Sequence, residues 1–305
     1  LYELGFDLQF FFDADHRTLK RGIEDANVPF CAPMQQYHGM VGAMAEAKAD
    51  YLFLPMLRGA QRIGTEPWAR LCPIVQGAPD ILKRDLGAIH ARIISPVINI
   101  GKANFDSDIF IDSCRDLVAQ LGVSHLDWDG ARIRAAQVQN EFDRQCHELG
   151  RHAIAFCKET GITPVVVLGR AYTIHNPVLN SNVPAILREQ GAIAIPSDCY
   201  PIEEDVPIFP SGFWGYGQKN LRASHQIRRT PGVYSLFASN YSCGPDSFTM
   251  HFFAYIMEGK PFAIIETDGH SGDAGTKTRI EAFLYCVHED LKGAASQKAE
   301  PKDFM

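Results

Sequence analysis

No two cysteines in this 305-residue chain stand close together, and in particular no Cys-x-x-Cys pair occurs. Zinc ribbons, ferredoxin-type cluster loops and thioredoxin-like sites all use such pairs, so their signatures are missing. No apolar run approaches the roughly 20 residues that cross a bilayer, and the first residues are neither basic nor followed by a signal-like segment. The expectation is a soluble chain of the cytoplasm without a membrane partner. Positive charge is also in deficit: 29 Lys+Arg face 36 Asp+Glu, a net charge of −7. That argues against nucleic acid or an anionic membrane surface as the main partner, and leaves room for a local basic pocket. Eight cysteines in a chain this long are too sparse for a disulfide framework. In a reducing compartment they are free thiols, metal ligands or catalytic groups.

What is present suits a large core, since 46% of the residues are hydrophobic. Short apolar runs at 6–12, 51–55, 73–75, 93–97, 164–168, 192–195, 234–238 and 262–266 read as strands, each bounded by Gly, Pro, Asp or Asn. Helical patterns lie between most of them. Such alternation predicts an α/β fold with mostly parallel sheets. A long charged helical stretch around residues 131–160 suggests a boundary between two Rossmann-like or flavodoxin-like halves, 1–158 and 159–305, with a cleft between them. The opening, Leu1 to Gly5, reads as the end of a helix with a glycine cap. It predicts an element before Leu1 and a chain that is one segment of a longer polypeptide. The polar tail from Lys292 reads as mobile.

The cysteines fall into two sets. Cys114, Cys146, Cys157 and Cys286 sit inside helical patterns, where a small thiol packs into a core. Cys31, Cys72, Cys199 and Cys243 are each followed within two residues by proline. Proline there suits the first turn of a helix, which would place the thiol at a helix N-terminus, where the macrodipole favours the thiolate. Cys31 precedes a helical pattern over 33–47, and Cys243 lies between the strand at 234–238 and a helix over 246–257. The separations, 41 residues from Cys31 to Cys72 and 171 from Cys72 to Cys243, are compatible with a cluster held in an interdomain cleft by single cysteines from several loops. On chemistry alone, buried structural thiols are the simpler reading.

Five segments bear on that choice. They are Val28-Pro-Phe-Cys31-Ala-Pro-Met-Gln-Gln-Tyr-His38-Gly39, Leu71-Cys72-Pro73-Ile-Val, Leu168-Gly-Arg170-Ala-Tyr172-Thr-Ile-His-Asn-Pro177, Ser239-Asn-Tyr-Ser-Cys243-Gly-Pro-Asp246-Ser-Phe, and the stretch from Asp268 to Phe283. Together the chain resembles the activase-related member of the 2-hydroxyacyl-CoA dehydratase family over nearly its whole length. The resemblance implies an iron–sulfur cluster, 4Fe–4S or the double-cubane 8Fe–9S form found in relatives, with Cys31, Cys72 and Cys243 as ligands and Cys199 as a doubtful fourth. It also implies an ATP-hydrolysing activase, in cis or in trans, that injects a low-potential electron, an acyl-CoA substrate, and a place in a larger chain or oligomer. Whether this chain is itself the catalyst is left open. Met40 stands where the family commonly has a second histidine, so any role for that group is absent.

Other residues carry two readings each. His38, seven residues after Cys31, could hydrogen-bond a cluster sulfide or substrate oxygen, or simply pack inside its helix. Arg170 and Tyr172 follow a strand at its C-terminal end, where a guanidinium could take a phosphate or carboxylate, or face solvent. The run from Gly269 to Thr278 could cradle an anion or form a tight turn, but Thr276 stands between Gly275 and Lys277, so it is not a Walker A loop. Glu266, Asp268, His270 and Asp273 could form a hard-metal or proton-transfer cluster, or cap the next helix. Glu203, Glu204 and Asp205 read as a solvated face. Beside the cluster-binding redox domain stand two alternatives: a non-catalytic electron relay or scaffold that docks an activase, and a cluster-free α/β domain that binds an anionic small molecule through Arg170 and the Gly272–Lys277 loop.

Overall fold

A computed structural model describes residues 1–12, 14–87, 89–269 and 272–293. They group into two compact units: Leu1–Phe30, Met34–Phe142 and Phe213–Gly215 form the first, and Cys31–Pro33, Asp143–Gly212 and the chain from Tyr216 form the second.

The first unit carries helices α1 (His16–Asp25), α2 (Ala32–Glu46), α3 (Pro73–Asp85), α4 (Asp108–Ser113) and α5 (Arg115–Leu121), and the start of α6 (His125–Thr160). Its strands are very short. β1 (Tyr51–Phe53) pairs in parallel with β3 (Arg92–Ile94), and β2 (Met56–Leu57) with β4 (Val97–Ile98). The sequence suggested one strand over 51–55 and one over 93–97. Each is cut near a proline, Pro55 or Pro96, because proline has no N–H to give to a ladder. Two other expected strands are absent. Residues 6–12 form no ladder although Phe10 and Phe12 stack at 5.6 Å, since aromatic residues make a strand only where a neighbour offers hydrogen bonds. Residues 73–75 are the first turn of α3, with Cys72 at its N-cap and Pro73 just inside, where proline's fixed φ favours the helix. The opening turn Tyr2–Leu4 does end at a left-handed Gly5, φ 83°.

The second unit contains β5 (Thr163–Leu168), α7 (Ala171–Ile174), α8 (Val183–Glu189), β6 (Ala192–Pro196), α9 (Gly215–Arg229), β7 (Tyr234–Asn240), α10 (Gly244–Met257), β8 (Phe262–Thr267) and α11 (Asp273–Gly293). The strands form one all-parallel sheet in the order β6-β5-β7-β8. Its middle is buried on both faces. Val165 and Val167 with Tyr234 and Leu236 pack on α8 and α11, while Val166, Leu168 and Phe237 pack on α9, α10 and the C-terminal part of α6. Each such Val or Leu contributes about 1.5–3 kcal/mol by leaving water. Continuous burial explains the uninterrupted apolar run of β5.

That strand order determines where a ligand would bind. The chain leaves β5 for β6 on one side and later returns to the other side as β7. The connections after β5 and β7 therefore diverge at the C-terminal edge of the sheet, which opens a crevice there. The all-parallel pairing establishes the α/β class expected from the sequence.

Candidate functional site

The crevice of the second unit is built from the turns after β5 and β7. After Leu168, Gly169 adopts φ 148°, and a Cβ there would lie 2.5 Å from the Ala238 carbonyl oxygen, so only glycine fits. The side chain of Asn220, from α9, accepts from the Gly169 N–H at 3.3 Å and donates to its carbonyl at 3.2 Å. This tie fixes the next residue, Arg170. After β7, Ser242 takes φ 66°, an uncommon left-handed conformation for serine, and aims Cys243 at the N-terminus of α10, followed by Gly244 and Pro245.

Arg170 is buried and grips the buried Asp246 with two nitrogens. Nη2 donates to Oδ1 at 2.9 Å, and Nε to Oδ1 and Oδ2 at 3.2 and 3.3 Å. Nη1 donates to the Tyr172 hydroxyl at 3.1 Å, and the Ser239 hydroxyl donates to Asp246 Oδ2 at 2.9 Å. The guanidinium already has an internal anion. Burial works against its charge, but Asp246 more than compensates and its pKa is raised. Cys243 is half-buried beside this pair. Burial pushes its thiol up to about 12, against the downward pull of Arg170. Burial thus opposes the thiolate that the helix N-terminus favours. Next to the pair, Thr173 donates to Asn240 at 2.8 Å, and Asn240 donates to the Leu179 carbonyl at 2.8 Å and to Thr267 Oγ1 at 3.1 Å, which ties the ends of β7 and β8 to α7 and the loop after it.

The other Pro-flanked cysteines differ from one another. Cys31 directly precedes α2 and Cys72 caps α3, and both are half-buried and unbridged, as is Cys243. Cys199 departs from the pattern. It lies in the turn after β6, and no helix begins at its proline, because the backbone there is pressed against α6: a Cβ on Gly150 would fall 1.8 Å from the Cys199 carbonyl oxygen. It packs in the core with Cys146, and burial, then Asp198 and Cys146, push its thiol up to about 12. Cys114 and Cys157 are buried as expected, although Cys114 joins α4 to α5 rather than lying within a helix. Cys286 is exposed on the outer face of α11 and is not a core residue. Among the described residues no group of three or more His, Cys, Asp or Glu is gathered to hold a metal ion.

In the first unit, His38 is fully buried in α2. Its Nδ1 lies 3.0 Å from the Met34 carbonyl and its Nε2 3.0 Å from Asp85 Oδ2, and Phe30 stacks on the ring. Both ring nitrogens are occupied by protein groups, leaving neither for a ligand. α11 begins at Asp273, so the anion-binding loop expected over Gly272–Lys277 is the first turn of that helix, and its Lys277 lies 4.0 Å from Glu189; His270 and Ser271 lie outside the described residues, as does the tail after Gly293. Glu266 and Asp268 are half-buried, and Glu203, Glu204 and Asp205 are exposed as expected.

Several polar partners were not singled out from the sequence, Asp85 among them. Asp246 stands three residues after the cap Cys243, the spacing of a capping box, so a local signal existed. His175 and Asp198 pair at 2.7 Å, and that hydrogen bond raises the pKa of His175 against its partial burial. They come from different connections, and nothing local joins them.

Residues 1–200 match the model of a family described as "CoA enzyme activase uncharacterised domain". No curated protein matches the chain.

Proposed function

The chain belongs to the CoA enzyme activase-related family, and on that premise we propose that it is the iron–sulfur cluster-binding domain of a 2-hydroxyacyl-CoA dehydratase-like system that is reduced at low potential at the expense of ATP. The observation that carries this reading is the state of three thiols. Cys31, Cys72 and Cys243 form no disulfide, are half-buried, and each stands at the start of a helix. The donor set suits a cluster that takes one thiolate from each of several loops. Cys199, packed in the core with no helix behind it, is left out of the set.

A bound cluster would supply the one-electron chemistry. The chain's own residues would prepare its ligands. Arg170 places a fixed positive charge beside Cys243, and Asp246, which accepts from the Ser239 hydroxyl, holds that guanidinium in place. With the thiol pushed up to about 12, metal binding must displace a proton from Cys243, and the Arg170 charge lowers the cost of the thiolate. An ATP-hydrolysing activase is the partner this reading requires, and an acyl-CoA the substrate class.

The test is iron and acid-labile sulfide per chain after anaerobic purification and reconstitution, for wild type beside Cys31→Ala, Cys72→Ala and Cys243→Ala. Four irons per chain, lost in each variant, are expected. About eight irons would indicate the double-cubane form. Iron-free wild-type protein after reconstitution would overturn the reading and favour an α/β domain that binds an anionic small molecule.

A further inference from the structure

A second cationic site lies in the first unit, in a hairpin that the proposed function does not use. Residues 58–71 carry three arginines, Arg58, Arg62 and Arg70, against one carboxylate, Glu66, in a chain whose net charge is −7. The two limbs are joined by antiparallel pairing of Gly59 with Arg70 and by the Ala60 N–H to the Ala69 carbonyl at 2.8 Å. The tip is fixed by Asn104, whose side chain accepts from the Arg62 N–H at 2.8 Å and donates to its carbonyl at 3.1 Å. Such anchoring holds the Arg62 backbone without engaging its guanidinium.

The guanidiniums are poorly matched to their surroundings. Arg62 Nε is buried and has no hydrogen-bond partner among the described residues. Arg70 Nη1 reaches only Asn99 Oδ1, at a long 3.5 Å. Glu66, itself buried, gives one oxygen to the Ile63 N–H at 3.1 Å. A buried donor without an acceptor is costly, and two adjacent guanidiniums repel each other. Consistent with that crowding, burial and then the Arg70 charge hold the Arg62 guanidinium below its ordinary value, with Glu66 opposing. Gly59 forms part of the floor, where a Cβ would stand 3.6 Å from Asn99 Oδ1.

We propose that this hairpin binds a phosphate group, clamped by Arg62 and Arg70 above Asn99. A phosphate presents several anionic acceptors to the two guanidinium forks. Trp68, two residues before Arg70, is exposed and lies 6.0 Å from Phe213. That aromatic pair offers an apolar surface to the organic part of a phosphate ester. The inference is independent of the cluster reading, since it uses none of the cysteines.

Thermal unfolding of the full chain tests it, with inorganic phosphate and adenosine 3′,5′-bisphosphate as probes against chloride at matched ionic strength. A saturable rise in Tm with phosphate, absent with chloride, is expected. In Arg62→Gln and Arg70→Gln the half-saturating concentration should increase about tenfold or more, while Tm without ligand is unchanged or higher because a like-charge contact is relieved. Arg62→Lys, which keeps the charge and loses the fork, should bind at an intermediate level. Saturation by the bisphosphate at lower concentration than by phosphate assigns the site to an organic ester, and equal saturation assigns it to the phosphate group alone. A wild-type protein with no phosphate-dependent shift would overturn the proposal, as would a shift that survives in both glutamine variants.

Discussion

The His38–Asp85 pair of the first unit and the Arg170–Asp246 pair of the second are both buried, but their cations are not equivalent. Both nitrogens of His38 face acceptors, so the imidazolium satisfies both, while the neutral ring still satisfies one. Arg170 has no neutral form to retreat to at any ordinary pH. Its charge must be answered by a carboxylate wherever it is buried. The surroundings correspond to this difference. The first pair sits between helices of a unit whose strands are two or three residues long, and the second at the edge of a four-stranded sheet, held by Ser239, Tyr172 and the Gly169 turn. The second unit therefore spends a rigid scaffold on a fixed charge next to a cysteine, whereas the first uses its pair to hold α2 against the end of α3.

The sharpest way to break this comparison is to remove each carboxylate in turn. Asp246→Ala strands a buried guanidinium and should cost about 3–5 kcal/mol, read as a lower midpoint in urea unfolding. Replacing both partners with apolar residues, Arg170→Met with Asp246→Leu, should recover much of that loss, because the penalty comes from the unanswered charge. Asp85→Asn should cost less, about 1 kcal/mol, since the amide oxygen can still accept from His38 Nε2. Equal losses at the two positions would remove the distinction between an obligatory and an optional charge.

How much of this could be read in the sequence follows the same division. The four strands of the second unit were legible because burial on both faces leaves continuous runs such as Val165–Leu168. In the first unit the register was lost where Pro55 and Pro96 interrupt the ladders, and the helix at Pro73 overrode a short apolar run. Arg170 was found because it follows a strand. Its partner, 76 residues away, was not, and neither was Asp85, 47 residues from His38, since ion pairs between distant segments leave no periodic trace. The Pro-flanked cysteines show both sides of the matter. Proline marked the helix starts at Cys72 and Cys243 correctly, and failed at Cys199, where tertiary packing against Gly150 decided the backbone.

The smallest expected effect concerns the acid side of the first pair. Hydrogen bonds from Asn27, then from His38, hold the Asp85 carboxyl below its ordinary value, against a modest opposing effect of burial. A carboxyl with a depressed pKa in the folded state contributes stability that is complete above the unfolded value of about 3.9. That contribution disappears as pH falls through the folded value, because there the folded protein takes up the proton it had resisted. Urea midpoints of wild type and Asp85→Asn should accordingly differ at neutral pH and converge below about pH 4. A gap between wild type and Asp85→Asn that widened toward acid would mean that Asp85 is held neutral rather than ionised, and that the first pair is a neutral hydrogen bond.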